Sequence, residues 1–237
     1  MDEAHPLSTP MVVRLLDVNK DPFRPQEKDE EILGSEVPYL SAIGALMYFA
    51  NTTRPDIAFV VNLLARYSSA PTRRHWNGIK LILRYLKGTT DMGLFYSVNC
   101  SPNLVGYAEI GYLSDPQKAR SQTGYVFICG GTAISWRSTK QSIVATSSNH
   151  AEIIAIHEAN NAACIAQLKG GFIKGDRIKH ISPKLFYTHE LQKNGDINVQ
   201  QICSSDNVAD LFTKSLPTAT FQKMVHKLGM RRFKSLD

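Results

Sequence analysis

Three carboxylates, Glu109, Glu152 and Asp210, are the residues whose type and placement could do chemistry. Glu109 lies in a strand-like run, Glu152 in the helical stretch that follows the strands, and Asp210 at the start of a late helix, so the three could converge at one edge of a mixed sheet. Carboxylates suit hard divalent cations, and such a trio could hold two Mg²⁺ ions roughly 4 Å apart, one activating water and the other stabilising the leaving oxygen of a phosphodiester. From spacing alone, ordinary surface acids are the simpler reading. His150 and His157 are seven residues apart on one helical stretch but have no third ligand nearby, and nothing identifies a task for His180 or His189. Cys100, Cys129, Cys164 and Cys203 form no CxxC pair and read as unconnected thiols, with a disulfide or long-range metal site as the alternative. Trp136 reads as core-facing, or as a platform for a nucleic-acid base. The basic words TRRHW, SWRSTKQS, KGDRIKH and MRRFKS could line a nucleic-acid path or simply solvate the surface.

The elements that must position these residues follow from periodicity and breakers. Residues 1–37 hold four prolines and an acidic run, and predict a flexible or surface-wrapping arm. PYLSAIGALMYFA, RPDIAFVVNLLARYS and TRRHWNGIKLILRYLKG predict three helices of a small subdomain, with Pro55 in a first turn. LFYSV, NLVGYAEIGYLSD, TGYVFICGG and TAISWRSTK read as short strands, the last two joined by a turn at Gly130–Gly131. QSIVATSSNHAEIIAIHEANNAACIAQLKGG then turns helical, KHISPKLFYTHELQKNG predicts another helix, DINVQQI a strand, and SDNVADLFTKSL and TATFQKMVHKLG helical pieces. The division expected is an arm (1–37), a helical part (38–92), an α/β part (93–216) and a helical tail (217–237).

Composition excludes several classes. The chain has 237 residues, 43% hydrophobic, which is too apolar for a mainly disordered polymer, and four cysteines are too few for a disulfide scaffold. The net charge of +6 divides into an acidic first 36 residues (−5) and a body of +11, which suits either a polyanionic partner or solubility. The apolar windows at 39–50 and 57–65 are too short to span a membrane, and no apolar stretch of the signal-peptide kind follows MDEAHPLSTP. The expected location is cytoplasmic or nuclear.

Several long words, in order, resemble the C-terminal part of copia-type retrotransposon polyproteins: YLSAIGALMYFANTTRPDIAFVVNLLARYS, LVGYAEIGYLSD, RSQTGYVFICGGTAISWRSTKQSIVATSSNHAEIIAI and DNVADLFTKSLP. Residues 38–88 look like the end of the reverse transcriptase region and 103–214 like the ribonuclease H domain. The resemblance implies an incomplete ribonuclease H-like mixed sheet with flanking helices, and Mg²⁺-dependent cutting of RNA–DNA hybrids by four acidic positions. Three fall on Glu109 (an aspartate in the family word YADAGY), Glu152 and Asp210; Asp206 is a neighbouring acid of the helix start. The third position falls on Asn160, because HEANNAACIAQ joins the helix almost directly to the word that in the family follows a further strand. The resemblance therefore implies a damaged sheet, in which NVQQI lacks its neighbour, and loss of hybrid cleavage. Residual ribonuclease H activity is the enzyme alternative, with hybrid or duplex binding through the basic surface. Similar stretches also occur in proteins named secreted RxLR effectors of oomycetes, which suppress host plant cell death through host partners. Here only RYLK (84–87) approximates that word, and a secreted effector entering host cells is the alternative from another class.

Overall fold

The computed structural model describes residues 4–14, 17, 20–98, 103–115, 118–169, 192–193, 195 and 197–233, with 161–169 as helix backbone only. All of the expected helix at 179–195 except 192, 193 and 195, the basic word KGDRIKH, His180, His189, Cys100 and the side chain of Cys164 fall outside these residues.

The three helices form where periodicity placed them. Helix α1 spans Tyr39–Thr52, a short 3-10 turn at Pro55–Ile57 leads into α2 (Ala58–Ala65), and α3 spans Arg73–Lys87. Ile43, Leu46, Ile57, Leu63, Leu64, Ile79 and Ile82 are all buried at their contact. Three strands follow as an antiparallel meander, β2 (Leu104–Asp115), β3 (Arg120–Cys129) and β4 (Thr132–Lys140), in spatial order β2-β3-β4. Gly130 and Gly131 both have positive φ (59° and 81°), the backbone that a two-residue I′ hairpin requires between the paired Cys129 and Thr132. Helix α4 (Ser148–Lys169) packs on β2 and β3, and α5 (Thr218–Lys227) precedes a last strand, β5 (Met230–Arg232). The chain is thus of the α/β class.

Four expectations are corrected. The described strands pair only antiparallel, so the sheet is not mixed. Of LFYSV only Leu94 is strand: β1 (Met92–Leu94) pairs with β5 in a separate two-stranded sheet, which sets β5 beside the segment that follows α3. NVQQI (198–202), expected as a strand, has no strand beside it among the described residues and is irregular. SDNVADLFTKSL, read as helix, contracts to 3-10 turns at Ser204–Asp206 and Val208–Phe212.

One apolar cluster runs from Phe23 through the helices to Val126 and Ala133 of the sheet, then to Phe212, Met224 and Met230. The described part of the first 37 residues lies against this body. Arg14 and Asp21 form a buried ion pair, Phe23 enters the core, Arg74 pairs with Glu30, and Ile32 bridges to Thr72.

His75 pins the arm to α3. Its Nδ1 accepts from the Thr72 backbone N–H at 3.0 Å and its Nε2–H donates to the Arg24 carbonyl at 3.0 Å, while Tyr67 stacks on the ring. That pattern uses the neutral imidazole, and burial holds its pKa below the usual histidine value. A lowered folded-state pKa means that the unfolded chain binds the proton first. The stability involved is therefore complete above the ordinary histidine range and is lost as pH falls below about 6.5, by at most about 1.4 kcal/mol per pH unit for one proton. Thermal melts between pH 7.5 and 5.5 should show this slope, and His75→Gln should melt lower but with a flatter slope.

Candidate functional site

Glu109 stands near the middle of β2. Side chains alternate across the sheet, and the two neighbours of Glu109 define its surroundings. Ile110 points to one face, where Ala145, Ala151 and Ala155 surround it. Glu109 shares the other face with Gly111, where an added Cβ would lie 2.7 Å from the Thr213 carbonyl, against the 3-10 turn Val208–Phe212.

That turn brings Asp210 to Glu109, and Asn207 joins the two elements. Asn207 caps the turn by accepting from the Ala209 N–H at 3.1 Å. Its amide donates outward to the Ala108 carbonyl at 3.0 Å and to Glu109 Oε2 at 2.7 Å. Asp210 is 4% exposed; Oδ1 pairs with Lys214 Nζ at 2.8 Å and Oδ2 accepts from Ser204 Oγ at 3.3 Å. Burial, then the charges of Asp210 and Glu152, push the Glu109 carboxyl above the usual range, against the pull of Lys214 and Asn207.

Glu152 reaches the same place from α4. It is exposed beside a cleft of about 530 Å³ that it lines together with Glu109, Ile156, Val199, Ile202 and Asn207. Helix α4 runs unbroken through residues 157–163, and this continuity decides where Asn160 goes. Eight residues of helix separate it from Glu152 by about 12 Å. The structure thus brings Glu109 and Asp210 together, sets Glu152 across the cleft and leaves Asn160 away. Among the described residues, no three His, Cys, Asp or Glu side chains stand close enough to share a metal ion.

Asn207 and Lys214 were not picked out from sequence. For Asn207 the signal was an asparagine just before a short apolar turn, the usual capping position; for Lys214 it was the spacing of four from Asp210.

The other candidates are engaged structurally. His150 Nδ1 accepts from the Thr146 N–H at 3.3 Å before α4, and His157 is buried. Trp136 packs on the core and its indole N–H donates to the Ala50 carbonyl at 2.7 Å. Cys129 and Cys203 form no disulfide among the described residues. Within the basic words, Arg74 pairs with Glu30, Lys140 with Asp115 and Arg232 with Asp91. RYLK lies in α3: Arg84 Nε donates to the His5 carbonyl at 2.7 Å, Tyr85 is buried, and Lys87 Nζ donates to the Ala4 carbonyl at 3.2 Å. No helix among the described residues is long and apolar enough to cross a membrane.

Comparison with known proteins supplies the lineage. The chain is 33% identical to the retrovirus-related Pol polyprotein from transposon TNT 1-94 of Nicotiana tabacum, over 97% of this chain and 19% of that protein. It is 29% identical to the Pol polyprotein from transposon RE2 of Arabidopsis thaliana, over 83% of this chain and 16% of that protein. A protein of Plasmopara viticola named secreted RxLR effector protein 161 is 43% identical over 54% of this chain and 89% of its own length. No protein-family model and no solved structure matches. The TNT 1-94 alignment runs over 255 positions, whereas 97% of 237 residues is about 230, so that relative carries about 25 positions that this chain skips. The alignment with the Plasmopara protein, 127 positions over 54% of the chain, has no such surplus. The chain spans less than a fifth of the Pol polyproteins it matches, and it belongs, internally shortened, to the copia-type retrovirus-related Pol polyproteins of retrotransposons.

Proposed function

We propose that this retroelement-derived chain keeps a ribonuclease H-like portion that does not hydrolyse RNA–DNA hybrids. Three antiparallel strands followed by a helix against the first of them support the fold reading. The observation that carries the functional reading is the engaged carboxylate pair: Lys214 neutralises Asp210 at 2.8 Å and the Asn207 amide occupies one Glu109 oxygen at 2.7 Å. An ammonium beside Asp210 already supplies the positive charge that a divalent ion would bring, and like charges repel. Asn160 offers no charge and lies on a distant turn of α4. The donor set does not fit a pair of Mg²⁺ ions, and no hydrolytic step is derived through them.

Purified protein with Mg²⁺ or Mn²⁺ should leave a labelled RNA–DNA hybrid uncut at enzyme excess. Metal-dependent cleavage that Glu152→Gln abolishes would overturn the proposal.

A further inference from the structure

The cleft beside Glu109 is also the open edge of a sheet. Strand β2 pairs with β3 on one side only. On its other side, among the described residues, the one hydrogen bond to its backbone comes from a side chain, Asn207 to the Ala108 carbonyl. Across the cleft, residues 199–202 make no backbone hydrogen bond to any other element among the described residues. Val199 and Ile202 are 39% and 43% exposed there, and Val105 on β2 is 45% exposed. An edge of this kind is a template for another strand. The volume, about 530 Å³, lies within the range of ligand pockets.

The charge of the walls selects among occupants. Glu109 and Glu152 line the cleft, and no lysine, arginine or histidine does. A phosphate backbone is disfavoured there, whereas a cationic side chain finds two carboxylates.

We propose that the β2 edge binds an extended peptide strand that pairs its backbone with β2, places apolar side chains on alternate positions against Ile110, Ile156 and Val199, and sets a lysine or arginine between Glu109 and Glu152. Backbone pairing gives the affinity and the alternate side chains the selectivity, as in other strand-addition complexes. The site does not depend on whether the protein hydrolyses hybrids.

The test uses the full chain and fluorescent seven-residue peptides, capped at both ends, in which valine alternates with threonine and lysine. The lysine peptide should bind and protect the amides of residues 104–111 from hydrogen exchange. Glu109→Gln combined with Glu152→Gln should weaken it about three- to tenfold. A counterpart with glutamate in place of lysine should fail to bind. N-methylation of alternate peptide residues should abolish binding in one parity and spare it in the other, because only one set of amides faces β2. Equal binding of the lysine and glutamate peptides, indifference to N-methylation in both parities, or no binding would each overturn the proposal. So would self-association of the chain, seen by sedimentation, that protects residues 104–111 and that the lysine peptide does not displace, because the edge would then belong to a second copy.

Discussion

Replacing Asp56 by alanine will remove about 3–5 kcal/mol of folding stability, the cost of leaving a buried charge without its partner. Asp56 is 3% exposed and Arg54 7% exposed. The two form a bidentate pair, Arg54 Nε to Asp56 Oδ1 at 3.0 Å and Nη2 to Oδ2 at 2.8 Å. The remaining guanidinium hydrogens reach Thr89, through its carbonyl at 3.2 Å and its hydroxyl at 2.7 Å. Tyr85 completes the set: its hydroxyl donates to Asp56 Oδ2 at 2.6 Å, and the Arg54 guanidinium lies 5.4 Å from its ring centre. Burial, and then the nearby Asp56 charge, push the Tyr85 hydroxyl well above its usual pKa, so it stays a donor. Asp56→Ala strands the guanidinium and the Tyr85 hydroxyl at once. Urea unfolding should show the loss as a lower midpoint at unchanged slope. Exchanging the group as a whole, with Arg54→Met, Asp56→Leu and Tyr85→Phe together, should recover much of it, because a well-packed apolar set needs no desolvation of ions.

Phe212→Ala should cost a comparable amount, about 3–5 kcal/mol, by opening a cavity inside the main apolar cluster. Phe212 is fully buried, and the 3-10 turn that carries it is pressed onto the central strand. The closeness is visible at Gly124, where an added Cβ would stand 2.6 Å from the Phe212 Cβ and 2.9 Å from the Ala209 carbonyl. Ser138 on β4 fastens the same turn, its hydroxyl donating to the Phe212 carbonyl at 2.6 Å. The loss should spread to the candidate site, because the turn also delivers Asn207 and Asp210 to Glu109. Besides a lower melting temperature, the Asn207 side-chain amide protons should exchange faster with solvent in the variant.

The helices and the meander were legible in sequence because their signals are local: apolar spacing, Pro55 at a first turn and the Gly130–Gly131 hairpin. What failed was non-local. Ile197 and Val199 alternate as a strand should, but a strand exists only through a neighbour, and the resemblance itself pointed to that neighbour's loss. DNVADLF has helical spacing, yet the Asn207 cap and the pressure of the sheet hold it as a 3-10 turn. In the site, spacing suggested that Glu109, Glu152 and Asp210 could converge, and the structure lays the turn that carries Asp210 against β2. The engagement of Glu109 by Asn207 and of Asp210 by Lys214 was not legible, because it depends on side-chain geometry across 98 residues for one pair and four for the other. The Arg54–Asp56 pair was written in the word RPD, and the Thr72–His75 contact has capping-box spacing with histidine in the third place.

The pairing of β1 with β5 also sets the order of events during synthesis. Met230 is buried, and the cluster it completes begins at Phe23, so this core can close only after synthesis has passed residue 230. Until then α1–α3 must wait with apolar surface uncovered. A nascent chain of this topology offers that surface to chaperones until β5 has emerged, and losing β5 would be felt at β1, which precedes the whole meander.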